Sequence, residues 1–503
     1  MRSTPPLLNL PRASWLLLAL ACALHGVLGA SLGLSVDEAH YALYAAHPDW
    51  SYFDHPPLVG WAQWPLVAVH APTWVLRLLP ELLWLGTALL VHGLAERLQA
   101  GAQPLAFGRA GFWAVLVLAF APLLHVLGIG LLPDTLLVFW TVAVMWLTLD
   151  LMDVAAVRRP MPWLLLGLLL GLAGLSKYTA IFVALAVALC LLQAHGARLL
   201  RNLWPWLAVV IAVVLVLPVV YWNHTNHWIS FTYQAQHGAG GGWRAVQVVR
   251  FLLVQVLAYG PLLWWGWAGV RRGVVPALRP VAWFFVVPFV VLAVLAGGGT
   301  SLPHWTAPAW VALAPMAGIG LARSVRDGRR RLIAVLVVMQ GAVSAALLGL
   351  MFTAGQPFIT NVNGQGNSAQ PSNPFADLYG WEQAGAQART LAAQQGLHSV
   401  SVQNWTLASR LGWYARPLPV HVLEDRFDQF DLWAGDLPAG ADTLLVDWSQ
   451  LAYTVPLGAA HGFTDCTLLA TQDAQRLGAT IATYRFYACH GWSGQPQPQL
   501  HSP

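Results

Sequence analysis

Long apolar runs alternate with short polar turns over the first 353 positions, and the pattern changes abruptly after them. Eleven stretches are long enough, or nearly so, to cross a hydrocarbon core of about 30 Å: 14–34, 74–96, 110–127, 134–153, 161–175, 178–195, 203–221, 246–269, 280–297, 305–322 and 332–353. The fifth and sixth are short and nearly fused. The first, with Arg2 and Arg12 before it, also fits a signal peptide, but it is long for one and more spans follow. After residue 353 a Gly/Asn/Gln/Ser/Pro stretch at 361–374 reads as a linker. A helical pattern follows near 380–395, closed by Gly396, with strand-like runs at 398–403, 418–423 and 442–448. Segments around Cys466 and 480–489 fit a hairpin in which Cys466 and Cys489 face one another, as a disulfide or as two thiols. The expected fold is a polytopic α-helical membrane protein of about 11 transmembrane helices, residues 1–353, with a small C-terminal α/β domain, 354–503.

Composition agrees with this pattern. Apolar residues make up 57% of the 503 positions and charged residues 9%, where a soluble domain carries about 25% charge. The formal charge of +5 does not mark a nucleic-acid partner, because Lys177 is the one lysine and no basic stripe interleaves with aromatics. The four cysteines lack metal-site spacing.

Charge distribution sets the expected orientation. With the N-terminus inside, 16 basic residues fall on the cytoplasmic side and four on the other, Arg77, Lys177, Arg244 and Arg250. The external regions are then a first loop, 35–73, a polar Gly-rich loop, 222–245, and the tail.

The first loop carries Asp37-Glu38, then His40, His47, Asp54 and His55, with no Lys or Arg between Arg12 and Arg77. Adjacent carboxylates at a membrane exit are costly unless solvated or paired. Their ordinary role is a helix first turn, where acids favour the macrodipole; the added histidines and Asp54 exceed that need. Cations face the same side. Arg77 and His304 suit headgroup snorkelling as well as chemistry, whereas Lys177 lies in a turn too short for a solvated loop. Asp134 either caps its helix or joins the cluster. An acid beside phosphate-binding cations suits transfer of a sugar from a lipid phosphate. The phosphate leaves as an anion that needs charge stabilisation, and the acceptor hydroxyl needs a base.

At these positions the sequence resembles the GT-C glycosyltransferases, in particular bacterial family 39-type enzymes related to protein O-mannosyltransferases and to the lipid A aminoarabinose transferase. Asp37-Glu38 resembles the acidic motif of their first external loop, and Tyr52-Phe53-Asp54-His55-Pro56-Pro57-Leu58 the following aromatic–Pro-Pro motif. Pro133-Asp134-Thr135, Gly174-Leu175-Ser176-Lys177-Tyr178 and Pro303-His304-Trp305 resemble further recurring segments. The resemblance implies a GT-C fold, with Asp37 as general base and Glu38 orienting it or binding sugar. Lys177, His304 and His55 would hold the donor phosphate; on the reading of the residues themselves Asp54, Asp134 and Arg77 are further candidates for binding the donor phosphate or sugar. Many relatives have lysine where this chain has His55, whose charge titrates near neutrality. The implied donor is a polyprenyl-phosphate sugar and the implied acceptor a lipid or glycan of the envelope, with inversion at the anomeric carbon. No metal requirement and no cofactor follow from the motif, and the expected location is a bacterial inner membrane with the site and tail periplasmic. In the tail, Trp405, Tyr414 and Trp433 suit acceptor stacking and suit a small core equally well. The rival functions are a transporter or flippase for a lipid-linked sugar, and a membrane scaffold that binds glycans.

Overall fold

The computed structural model of the protein describes residues 10–99, 109–239, 242–299, 302–358, 373–451, 455 and 458–499. Most of the expected linker, 361–372, lies outside them. The chain forms two compact units: Met1–Val27, Asp49–Ala62 and Trp74–Ala346, then Leu28–Pro48, Gln63–Thr73 and Leu347–Pro503.

The first unit is helical. Among the described residues eight helices are long and apolar enough to cross a membrane, beginning with α1 (Arg12–Ser31). Two pairs, Arg109–Ala119 with Pro122–Ile129 and Ala245–Tyr259 with Pro261–Arg272, are bent by 77° and 103° and raise the number to ten if each is one span. Pro122 and Gly260-Pro261 explain the breaks, since proline supplies no N–H and Gly260 has φ 78°. The remaining apolar stretch is the helix Pro160–Ser176, 17 residues and so about 25 Å long, short of the hydrocarbon thickness.

The segment Pro303–Arg326 is the hub of this unit: 94% of its apolar window is buried, against 11% for Leu203–Thr225. Small residues make that possible. A Cβ at Gly318 would strike the Ala110 carbonyl, and one at Gly320 the Trp265 carbonyl, so two helices reach the hub backbone to backbone. The outer helix instead exposes Val209, Val210, Val213, Val214 and Leu217, as a lipid-facing surface requires. The expected loop 222–245 is corrected: Leu203–Thr225 runs into it, and Ile229–Ala239 forms a further helix. Its composition is polar, but Ile229, Phe231 and Tyr233 alternate with side chains that bond to the 52–54 backbone.

In the second unit the expected first loop contributes the helix α2 (Val36–Ala46) and the end of α3 (Leu58–Ala68). The C-terminal segment adds a five-stranded sheet of order β2-β1-β3-β5-β4, with β1 (Val400–Val402), β2 (Val420–Val422), β3 (Thr443–Trp448), β4 (Phe463–Arg476) and β5 (Ala479–Trp492). β1 pairs in parallel with β2 and β3, while β3–β5 and β4–β5 are antiparallel. Leu477 and Gly478, both at positive φ, close the β4–β5 hairpin. Cys466 sits opposite Cys489 in that hairpin, and the two are joined by a disulfide. The helix Trp381–Gln395 ends at Gly396, which has φ 67°.

Candidate functional site

Asp134, Lys177, His304 and His55 come together in the first unit. Asp134 stands in the first turn of the helix Pro133–Leu151 and is 1% exposed. Lys177 follows the last turn of Pro160–Ser176, and its Nζ donates to both Asp134 carboxylate oxygens at 2.8 and 2.6 Å. His304 Nε2 lies 3.8 Å from Asp134 Oδ2, and His55 is within electrostatic reach of the same carboxylate. The ammonium also stands 5.7 Å from the centre of the Trp305 ring. The turn Pro303–Thr306 that carries His304 is fixed from behind, where Tyr259 Oη donates to the Pro303 carbonyl at 2.9 Å. A buried lysine requires a partner, and here one acid serves a lysine and a histidine.

The segment carrying Asp54 and His55 is bolted down by the helices on either side of residue 226. Trp222 Nε1 donates to Asp49 Oδ2 at 2.9 Å, Ser230 Oγ to the Tyr52 carbonyl at 2.8 Å and Gln234 Nε2 to the Asp54 carbonyl at 2.6 Å. The Tyr52 hydroxyl accepts from the Asp49 N–H at 3.0 Å. The Asp54 carboxylate acts on the neighbouring Tyr178. Arg77, also in this unit, is buried at the start of the helix Leu78–Leu98.

Asp37 and Glu38 belong to the second unit. Ser35 caps α2: its Oγ accepts from the Glu38 N–H at 3.4 Å, and Glu38 Oε2 accepts from the Ser35 N–H at 3.0 Å. Glu38 thus serves the capping box, with its side chain buried, while Asp37 stands half-buried beside it. The C-terminal segment fixes this turn. Gly33 N–H donates to the Leu378 carbonyl, Leu34 N–H to the Tyr414 hydroxyl, each at 2.9 Å, and Val36 N–H to Asp377 Oδ2 at 3.2 Å. Asp377 pairs with Arg410, which is wedged between Trp381 and Trp448 at 4.0 and 4.8 Å. Burial pushes the Arg410 pKa down to about 9, opposed by Tyr484 and Asp37, so it stays charged at neutral pH.

The three aromatic candidates also have neighbours inside this unit. Tyr414 holds the entry to α2 through Leu34. The Trp405 ring meets His40 edge-on at 5.5 Å, and His40 Nδ1 lies 3.0 Å from Ser409 Oγ. Trp433 stacks on His47 at 5.0 Å. Sequence reasoning missed Asp377 and Arg410; a charged residue between Leu407, Ala408 and Leu411 on one helix was the available signal. It also missed a polar chain in the first unit, where Glu81 Oε2, His25 and His125 follow one another at 2.8 and 2.7 Å and tie three helices together.

The family described as dolichyl-phosphate-mannose-protein mannosyltransferase matches residues 54–222. The lipid A galacturonosyltransferase RgtD of Rhizobium johnstonii is 27% identical over 288 residues, 55% of this chain and 58% of that protein, so the match spans little more than half of either. Crystal structures of ArnT from Cupriavidus metallidurans share the fold. In the apo state the TM-score is 0.65 at 19% identity, covering 96% of this chain and 99% of that one. Bound to undecaprenyl phosphate it is 0.63 at 19%, covering 97% and 100%. The expected resemblance to GT-C glycosyltransferases is borne out, and the architecture is that of ArnT.

Proposed function

We propose that this GT-C-type membrane protein transfers a sugar from a polyprenyl-phosphate donor to an envelope acceptor, lipid A or another glycan, on the periplasmic side of a bacterial inner membrane. The observation that carries this reading is the buried cluster of Asp134, the lone lysine and His304 in the helical unit. Intramembrane charges of this kind are costly and mark functional sites. The names of the relatives, a lipid A galacturonosyltransferase and a structure bound to undecaprenyl phosphate, support the substrate class.

In the proposed mechanism Lys177 and His304, aligned by Asp134, take the donor phosphate, with His55 beside them. Asp37 removes the proton from the acceptor hydroxyl as its oxygen bonds to the anomeric carbon. The bond from that carbon to the phosphate oxygen breaks on the opposite face, giving inversion, and the phosphate leaves as an anion. Glu38 acts through its cap, which fixes the turn that presents Asp37.

The test is transfer of labelled sugar from polyprenyl phosphate to lipid A by the purified chain. Asp37→Asn is expected to lower the rate by roughly 10²–10⁴-fold, the usual worth of a general base. Full activity in that variant overturns the mechanism. The two sharply bent helix pairs favour one other reading, a transporter of a lipid-linked sugar, since broken helices are common in transporters. Movement of intact donor across vesicles, without transfer, would decide for it.

A further inference from the structure

The second unit contains a cleft of about 770 Å³ that the proposed catalytic residues do not line, although Trp433, a candidate for acceptor stacking, does. Its wall combines the end of α2, the end of α3 and the segment after the helix Trp405–Tyr414. Two features set its chemistry. Its polar lining is cationic or imidazole, from Arg416, His47 and His70, and among the described residues no Asp or Glu lines it. Flat aromatic surface comes from Trp64, Phe430 and Trp433.

Arg416 is aligned in advance. Its Nε donates to the Trp413 carbonyl at 2.9 Å, and its guanidinium lies 3.5 Å from the centre of the Trp413 ring. His47 stacks on Trp433 with an interplanar angle of 28°. Burial and the Arg416 charge both lower the His47 pKa, which suits that imidazole to hydroxyl groups rather than to a second cationic role. α2 ends at the cleft with the negative pole of its dipole, worth roughly half a charge, and one full guanidinium outweighs it. Aromatic faces beside a fixed arginine recognise a sugar ring that carries an acidic group.

We propose that this cleft binds a phosphorylated or carboxylated saccharide, the part of the acceptor headgroup remote from the sugar-accepting hydroxyl. The proposal rests on the transferase reading for the identity of the acceptor. Asp37 and His47 lie at opposite ends of α2, about 15 Å apart along its axis, so the cleft is a separate subsite. Binding energy gained there holds the acceptor while chemistry proceeds elsewhere.

The experiment is equilibrium dialysis of the full chain in detergent with the deacylated, phosphorylated disaccharide of lipid A. The dephosphorylated disaccharide, inorganic phosphate and phosphatidylglycerol vesicles serve as comparison probes. Arg416→Gln is expected to weaken binding about tenfold, as loss of a charge-assisted contact does. Removing the ligand's phosphates should cost the same, and the two losses should not add. Trp64→Ala, at a position 51% exposed and so safe for folding, should weaken binding severalfold. Native-like binding in both variants overturns the subsite, as does equal competition by phosphatidylglycerol or by phosphate alone. Arg416-dependent binding without any sugar transfer would sink the transferase reading and leave the subsite standing. Transfer with no Arg416 dependence of binding would do the reverse.

Discussion

Two buried carboxylates, one in each unit, are accommodated by opposite means. Asp134 in the helical unit is 1% exposed and has an ammonium on both its oxygens. Asp428 in the second unit is 4% exposed and caps a short helix, accepting from the Phe430 N–H at 2.7 Å, with Asp431 adding repulsion. Burial pushes Asp428 up to about 7, with His40 and Arg426 only partly opposing it. An apolar unit surrounded by lipid offers no water to share the cost of a charge, so its acid needs a full counter-charge. A small α/β domain can instead leave its acid half-protonated near neutrality. The difference separates an acid held by a counter-ion from one that burial leaves half-protonated.

The pair in the helical unit gives the largest expected effect. Lys177→Met takes the ammonium from both Asp134 oxygens and should cost about 3–5 kcal/mol, read as thermal unfolding in detergent. Adding Asp134→Asn should restore most of that stability, because no charge is then left unpaired. Transfer should stay lost in the single and the double variant alike. Recovery of transfer by the double variant would mean that Lys177 is structural, and the contrast with Asp428 would collapse.

For Asp428 the sign runs the other way from a salt-bridged acid. Its folded pKa, about 7, stands above the unfolded value near 3.9, so the folded state holds the proton more tightly. That contribution is complete below about pH 4 and is lost as pH rises through 7. Between pH 5 and 7 the second unit should lose about 2 kcal/mol from this group. Asp428→Asn keeps the cap and removes the charge, and should flatten that part of the pH profile. An unchanged slope in the variant would show that the proton resides elsewhere.

The same contrast explains what the sequence revealed. Lys177 was legible because it is alone among apolar runs, and Asp134 because an acid follows Pro133 at a span edge. Apolar length located the long helices of the first unit, but not the bends at Pro122 and Gly260-Pro261, and it missed α2, α3 and Ile229–Ala239, which were expected as loops. The strands β1 to β3 followed from short apolar runs between turn residues, and the facing of Cys466 and Cys489 from the expected hairpin, while the bond between them was left open. The anchoring of α2 could not be read. It depends on Asp377 and Tyr414, 341 and 380 positions away from their partners, and one chain carries no signal for such pairings. The acids of the first loop were therefore visible, while the division of labour between them was not.

That division yields the smallest and sharpest test. Ser35→Ala removes the cap of α2 and should destabilise the second unit by about 1 kcal/mol. Glu38→Gln keeps an acceptor for the Ser35 N–H, because glutamine also fits a capping box, and should be nearly neutral in stability. Both should lower transfer by less than tenfold, since each affects Asp37 only through the position of its turn. Urea unfolding and transfer assays on the same preparations compare the two effects. If Glu38→Gln leaves stability intact yet reduces transfer as severely as Asp37→Asn, Glu38 meets the reactants itself. The capping box would then be a by-product of holding a second catalytic carboxylate in the first turn.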